Sequence, residues 1–231
     1  MKSLGIGRMQ RAIIGAALCV AAASCSESVS APSSFVATSI RIVSGDGQSG
    51  RVATQLPYQL VVEVRDQHGQ LMPGAIIAFD ATFGSVGSII GITDSTGIAS
   101  TYYTLGTVAT DYAITATASG MSTGVSFSAH GTAGAANHLA DFGGNGQVAD
   151  RGSTLQQPLV IAVVDVFGNP IAGVPVKWSS PSGGTFNTTQ TVTASNGEAQ
   201  VVYTLPPSAG TVSVVAHVDG LMDFTFGVVS R

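Results

Sequence analysis

Two short stretches in the second half of the chain carry apolar side chains at every second position. In the first stretch Leu159, Ile161 and Val163 fall on one face, and in the second Val176 and Trp178 share a face. A period of two residues is the pattern of a β-strand that is buried on one side. The two stretches therefore predict a pair of strands, each with an apolar face directed toward a core.

The residues between these strands are those of a reversing turn. They comprise an Asx acceptor, residues that tolerate positive φ and a ring that fixes φ. The members of this group are Asp165, Gly168, Asn169, Pro170 and Gly173. We expect Asp165 to accept hydrogen bonds from backbone N–H groups of the turn.

The same unit occurs earlier in the chain, so the sequence contains an internal repeat. Asp66, Gly69, Gly74 and Phe79 stand 99 positions before Asp165, Gly168, Gly173 and Trp178. After a one-residue insertion the offset becomes 100, and Tyr103 matches Tyr203. We expect Asp66 to cap its turn, Phe79 and Trp178 to be core aromatics, and both tyrosines to anchor their strands through buried hydroxyls.

The repeat and its turns predict the fold class and the domain organisation. Each copy contains about seven short strands in roughly 95 residues, separated by Gly, Asn, Asp and Pro, which is typical of an Ig-like sandwich. We therefore predict an all-β protein of two tandem Ig-like antiparallel β-sandwiches with about seven strands each. The predicted domains are residues 39–130 and 138–231, and the predicted linker is 131–137.

The N-terminal residues 1–24 predict a signal peptide. A basic segment precedes an apolar run at 12–23, which is shorter than the roughly 20 residues that a membrane span needs. The basic residues of this segment are Lys2, Arg8 and Arg11. The segment is therefore interpreted as a secretory signal and excluded from the fold.

The end of the signal predicts how the mature protein is anchored. Its last residues, Ala-Ala-Ser-Cys, resemble a bacterial lipobox, which implies lipidation of Cys25 and a flexible tether at 25–38. Ser26 after the cysteine resembles the signal for export to the outer membrane. We thus predict an outer-membrane lipoprotein held to the membrane by lipid on Cys25. Cleavage after Ala23, giving a secreted or periplasmic protein, is the alternative.

Charge and cysteine content exclude several function classes. Once the signal is removed, six basic and 13 acidic residues give the mature chain a formal charge of −7. No basic patch is then available to neutralise phosphates, which argues against a nucleic-acid partner. Because Cys19 leaves with the signal and Cys25 carries lipid, no disulfide or cysteine metal site is expected.

Two glycine-containing patterns match enzyme motifs without their structural setting. The G-x-G-x-x-G pattern at 45–50 lacks the following helix of a dinucleotide site, and the G-x-S-x-G pattern at 120–124 lacks the α/β sheet of a nucleophile elbow. We expect no enzyme activity, no cofactor and no metal. A calcium site near the domain junction stays open as an alternative. Its candidate ligands are Asp46, Asp94, Asp141 and Asp150.

Strand counting also predicts which turns of the second domain face the first. Turns after even-numbered strands should lie at the near end, and one of them carries the apolar residues Leu221 and Met222. Because apolar side chains in a turn are poorly placed in solvent, we expect both to pack against the first domain or the linker.

The run from Ile161 to Trp178, I-x-V-x-D-x-x-G-N-P-x-x-G-x-x-V-x-W, carries a family resemblance. With Asn-Gly-Glu-Ala at 196–199 and Val-Tyr-Thr-Leu at 202–205, it resembles the bacterial Ig-like domain of group 1, the module stacked in invasins and intimins. The first copy departs from the pattern with His-Gly-Gln at 68–70 and Phe79 in place of the tryptophan.

The resemblance implies an extracytoplasmic, non-enzymatic role. Members of this family serve as adhesin stalks, spacers and binding tips, so we expect an adhesive or structural spacer unit with a protein or glycan ligand. A periplasm-facing accessory subunit of an envelope complex is the alternative. Fold alone does not choose between them.

Overall fold

The computed structural model describes residues 35–231, and every regular element in that range is a β-strand. The predicted signal peptide 1–24, the lipidation site Cys25 and the tether up to residue 34 lie outside the described residues. Within 35–231 there is no helix with the length and apolar character that a membrane crossing requires.

The first domain contains two main sheets and a two-stranded ribbon. Its strands are β1 (Ala37–Ser44), β2 (Gln48–Arg51), β3 (Leu60–Asp66), β4 (Ile76–Ala81), β5 (Ser85–Val86), β6 (Ile90–Ile92), β7 (Ile98–Thr101), β8 (Tyr103–Thr104), β9 (Asp111–Ala118) and β10 (Val125–Thr132). One sheet has the order β1-β3-β7, the other has the order β2-β10-β9-β4-β6, and β5 pairs with β8.

The second domain repeats this topology strand for strand. Its strands are β11 (His138–Gly143), β12 (Val148–Ala149), β13 (Leu159–Val164), β14 (Pro175–Ser179), β15 (Thr185–Phe186), β16 (Gln190–Val192), β17 (Glu198–Val201), β18 (Tyr203–Thr204), β19 (Gly210–His217) and β20 (Phe224–Ser230). The sheet orders are β11-β13-β17, β12-β20-β19-β14-β16 and β15-β18. The predicted all-β fold of two tandem Ig-like sandwiches is confirmed.

Alternating burial explains why these segments form strands. In β9, Tyr112, Ile114, Ala116 and Ala118 are buried, whereas the residues between them face outward. Each domain has its own apolar cluster between its sheets. Such a period-two pattern gives a strand one face for the core and one for solvent, which a helix could not do with the same residues.

One parallel pairing per domain was not predicted. The chain leaves the three-stranded sheet after β1, turns through Gly45 (φ +90°) and Gly47 (φ +68°), and enters the five-stranded sheet as β2. There β2 runs parallel to β10, with Gln48 opposite Ala129. The corresponding β12 runs parallel to β20. The G-x-G-x-x-G pattern is therefore the point at which the chain changes sheets.

Two strands of the first domain extend a few residues beyond its predicted boundaries. Strand β1 begins at Ala37, inside the predicted tether, because Ala37 is buried in the core and Thr38 Oγ1 donates to the carbonyl of Asp66 at 2.7 Å. Strand β10 continues through Thr132, inside the predicted linker, because it pairs with β2 as far as Arg51.

Candidate functional site

The turn after β13 lies at the junction of the two domains and is organised by Asp165. The Asp165 side chain is fully buried, and its Oδ1 accepts hydrogen bonds from the N–H groups of Phe167 and Asn169, both at 2.8 Å. Gly168 takes φ +85° within this turn, a left-handed conformation that glycine adopts without steric cost. The second carboxylate oxygen, Oδ2, accepts a hydrogen bond from the N–H of Gly134 in the linker at 2.8 Å.

Asn169 connects this turn to the first domain. Its Nδ2 donates to the carbonyl of Thr107 and its Oδ1 accepts from the N–H of Ala109, each at 2.8 Å. Nδ2 also donates to Asp165 Oδ2 at 2.8 Å. The side chain is only 5% exposed. We call the two hydrogen bonds between Asn169 and residues 107–109 the junction contact.

The segment of the first domain that receives Asn169 is itself held in place. The Tyr112 hydroxyl donates to the carbonyl of Val108, and the N–H of Gly131 donates to the carbonyl of Thr110 at 2.8 Å. On the other side, the N–H of Asn137 donates to the carbonyl of Val164 at 2.9 Å. Both halves of the junction contact are therefore positioned by hydrogen bonds of their own domain or of the linker.

The electrostatics of the junction favour an ionised Asp165. Burial by itself raises the pKa of the Asp165 carboxyl, but hydrogen bonds from the Asn169 side chain and from three backbone N–H groups outweigh it, so the pKa lies below its usual value. Protonation would turn one of the two carboxylate oxygens into a hydroxyl donor that faces N–H donors, which would weaken this set of hydrogen bonds.

The first domain has the same turn after β3. Asp66 Oδ1 accepts from the N–H groups of His68 at 2.8 Å and Gln70 at 2.9 Å, so Gln70 occupies the position of Asn169. Unlike Asn169, Gln70 is exposed. The remaining turn residues named from the sequence lie in the two turns, with positive φ at Gly69 (+73°), Gly74 (+75°) and Gly173 (+78°) and a backbone bridge between Val164 and Pro170.

Leu221 and Met222 do not form the junction, which corrects the expectation from strand counting. Met222 is 88% exposed, and Leu221 packs against the core of its own domain. The buried Asn169 side chain makes the junction contact instead, and Asp165 accepts a hydrogen bond from its Nδ2. An apolar residue in a turn can remain in solvent at modest cost, whereas a buried carboxylate needs hydrogen-bond donors.

The four aromatic residues named from the sequence lie in the two cores. Phe79 and Trp178 are buried at matching positions on β4 and β14, and the Trp178 ring lies 6.0 Å from that of Phe226. The hydroxyl of Tyr103 donates to the carbonyl of Phe83, and that of Tyr203 donates to the carbonyl of Gly183. Burial, and secondarily the neighbouring Tyr112, raises the pKa of Tyr103 to about 12.

The four aspartates considered for calcium are dispersed, and each has a separate local partner. Asp46 bonds Ser128 at the sheet crossing, Asp94 caps its own turn through Thr96, Asp141 bonds Asn145, and Asp150 bonds Arg231. Across residues 35–231, no three His, Cys, Asp or Glu side chains are grouped in a way that would hold a metal ion.

An exposed apolar face distinguishes the first domain from the second. Ile76 on β4 lies opposite Ile92 on the edge strand β6, and Ala78 lies opposite Ile90. The three isoleucines are 50%, 67% and 57% exposed. We call Ile76, Ala78, Ile90 and Ile92 the isoleucine face.

The matching positions of the second domain show that the fold does not require this face. There Lys177 lies opposite Gln190, and Pro175 lies opposite Val192. Lys177 Nζ also forms an ion pair with Asp219 at 3.0 Å. Of the two described sandwiches, only the first therefore has the isoleucine face. Its apolar residues form a contiguous cluster, unlike the single exposed apolar residues that are common on protein surfaces.

A family model assigns the second domain. Residues 144–225 match the bacterial Ig-like domain (group 1). The second domain is a bacterial Ig-like domain of group 1. The sequence resemblance of that copy is thereby confirmed, and the strand-for-strand repeat gives the first domain the same topology as this group 1 domain. No curated protein sequence matches the chain.

Two solved structures of bacterial proteins align with most of the chain. The Yersinia pseudotuberculosis protein InvD aligns with a TM-score of 0.50 at 16% identity, covering 79% of this chain and 55% of that one. FdeC, an Escherichia coli adhesin, aligns with a TM-score of 0.44 at 16% identity, covering 84% and 65%. The chain thus spans less than two thirds of either relative. At this identity, the InvD alignment supports a shared fold only.

Two structural features of the group 1 domain and its neighbour were missed in the sequence. Asn169 was assigned to its own turn, and its contact with residues 107–109 was not foreseen. The sequence did contain one indication, because the two copies differ at this position, with Asn169 in the second and Gln70 in the first. The isoleucine face had a similar signal, because Ile90 aligns with Gln190 in the second copy.

Proposed function

We propose that this chain is a non-enzymatic lipoprotein of the cell envelope whose two Ig-like domains act together as an adhesive spacer. Lipid on Cys25 anchors it to the outer membrane, the junction contact joins the two domains, and the first domain binds a ligand. The match to the group 1 Ig-like family supports the domain type, and the acidic mature chain supports a partner other than nucleic acid.

The observation that carries the binding part of this proposal is the isoleucine face. Apolar side chains clustered on a sheet and beside its edge strand are costly to leave in water and mark sites of protein association. Aliphatic side chains offer no hydrogen-bond partners to sugar hydroxyls. The ligand is therefore a protein surface rather than a glycan.

The same face serves the second arrangement, a periplasm-facing accessory subunit of an envelope complex. In that case a subunit of the complex covers the isoleucine face, and the chain is never exposed outside the cell. Protease treatment of intact cells separates the two arrangements. Cleavage of the chain in intact cells supports the adhesive spacer, and protection that ends when the outer membrane is opened supports the accessory subunit.

The binding role is tested by photo-crosslinking in cells that express the full chain. A photoreactive side chain at position 90 should give a specific adduct, and the same group at position 190 should give none. The double substitution Ile76→Ser with Ile92→Ser should abolish the adduct from position 90. Equal adducts from positions 90 and 190 would contradict a binding role for the isoleucine face.

A further inference from the structure

The junction contact uses two structural elements, and each of them occurs twice in the chain. One is the Asx turn with a carboxamide at its fifth position, which is 165–169 in the second domain and 66–70 in the first. The other is the connection that leads into β9 in the first domain, residues 106–110, and into β19 in the second, residues 206–210. Within one chain, the turn at 165–169 contacts the connection at 106–110. The turn at 66–70 and the connection at 206–210 do not contact each other.

The unused turn has the geometry of the used one. The N–H of Asp66 donates to the carbonyl of Gln70 at 2.9 Å, as the N–H of Asp165 donates to the carbonyl of Asn169 at 3.0 Å. Gln70 occupies the fifth position of its turn, as Asn169 does, and carries the same carboxamide on a side chain that is one methylene longer. Within residues 35–231, the Gln70 side chain has no hydrogen-bond partner. Beside it Phe35 and Leu71 are exposed, so an apolar surface adjoins the free amide.

The unused connection, residues 206–210, is here called the tip loop. Its register follows from the preceding Tyr203, which matches Tyr103, so Pro207 and Ala209 correspond to Thr107 and Ala109. Both are exposed, and in the described part of the chain neither the Pro207 carbonyl nor the Ala209 N–H is hydrogen-bonded. The start of the loop is fixed, because the Pro206 carbonyl accepts from the N–H of Gly152 at 3.1 Å.

We propose that the chain associates head to tail with a second copy of itself, the Gln70 carboxamide of one copy hydrogen-bonding to the Pro207 carbonyl and the Ala209 N–H of the next. This is the pairing that Asn169 makes with Thr107 and Ala109 inside each copy. A contact between two different surfaces leaves one of each surface unused in a dimer, so association continues beyond the dimer into an open chain, or into a ring where the rotation between copies closes. It goes beyond the proposed spacer function and does not depend on the isoleucine face.

The contact between copies is weaker than the one inside a copy. The linker holds the internal partners together at an effective concentration of order mM, and no linker does so between copies. Association therefore becomes extensive only at high local concentration. A covalent trap detects such a weak contact more directly than an affinity measurement does.

The first test is disulfide trapping in cells that co-express two full-length variants, Gln70→Cys and Ala209→Cys. On oxidation the mixture should give a crosslinked dimer well above the background of the wild-type chain, and a chain carrying both cysteines should give a ladder. The matched control, Gln190→Cys with Ala209→Cys, should stay at background. A dimer from Gln70→Cys alone, or no product from the mixture, would overturn the proposal.

The second test measures the mass of the full chain in detergent by light scattering as concentration rises. The wild type should increase in mass without reaching a plateau. Gln70→Ala and Ala209→Pro, which remove the carboxamide and the N–H, should remain monomeric, whereas Gln70→Asn and Ser208→Ala should behave like the wild type. A wild type that stays monomeric at every concentration, or assembly unchanged in Gln70→Ala, would refute the head-to-tail contact.

Discussion

The Asp165 carboxylate accepts two hydrogen bonds from Asn169, one from the side-chain Nδ2 to Oδ2 and one from the backbone N–H to Oδ1, both at 2.8 Å. An ionised carboxylate is only an acceptor, so it requires the amide nitrogen of Asn169 on its own side. The amide oxygen is then directed to the N–H of Ala109 in the first domain. Asp165 thus sets the orientation in which Asn169 joins the two domains.

The pH dependence of stability should report this arrangement. Because the folded-state pKa of Asp165 is lowered, its contribution is fully present above the unfolded pKa of about 3.9 and is lost as the pH falls through the folded pKa. Asp165→Asn should be less stable than the wild type at neutral pH, and the difference should shrink below about pH 4. Acid titration followed by Trp178 fluorescence measures it. A difference that stays constant with pH would argue against an ionised Asp165.

The contribution of His217 to stability should depend on pH in the opposite direction to that of Asp165. Hydrogen bonds to Asp223 and then to Asp219 raise the pKa of His217. Its contribution is therefore fully present below the unfolded pKa of about 6.5 and is lost as the pH rises through the folded pKa. The wild type should have a larger free energy of unfolding than His217→Gln at pH 6, and this difference should decrease as the pH rises above 7. NMR titration of the imidazole giving an unshifted pKa would exclude the effect.

The crossing between sheets provides a matched pair of glycine substitutions. Gly45 and Gly47 both have positive φ, where an alanine costs about 1–2 kcal/mol. A Cβ at Gly45 would also lie 2.1 Å from the carbonyl oxygen of Gln59, whereas nothing lies within 4 Å of one at Gly47. Gly45→Ala should therefore destabilise the protein more than Gly47→Ala in urea unfolding. An equal loss of stability in the two variants would mean that the backbone around Gly45 shifts at no cost to accommodate the added Cβ.

Local chemistry explains which parts of the structure could be predicted from the sequence. Alternation of apolar residues predicted the strands because burial on a sheet has a period of two, and the turn at Asp165 was predicted because an Asx turn is complete within five residues. Asn169 was harder, because its partners at 107 and 109 are backbone groups that leave no side-chain signature. Met222 was misjudged because apolar character was taken to require burial.

The isoleucine face shows what comparison between two copies adds. A single exposed isoleucine is unremarkable on a protein surface, and no periodicity marks it as functional. Only the pairing of β4 with β6 places Ile76 beside Ile92 and Ala78 beside Ile90, and only the second domain shows that the positions of Ala78 and Ile90 accept Lys177 and Gln190. Which isoleucines lie next to one another is therefore known from the pairing register of the strands and could not be deduced from the sequence alone.

The central claim, that Asn169 joins the two domains into one unit, is tested most directly by small-angle scattering of Asn169→Ala. Without the carboxamide, the Thr107 carbonyl and the Ala109 N–H lose their partner, which costs about 1–3 kcal/mol if they stay buried and favours separation of the domains into water. The control is Asn196→Ala, because in the described range 35–231 the Asn196 side chain accepts a hydrogen bond only from the N–H of Glu198, within its own turn. We predict a broader distribution of interdomain angles for Asn169→Ala and an unchanged one for the control. Identical scattering of Asn169→Ala and the wild type would contradict the account.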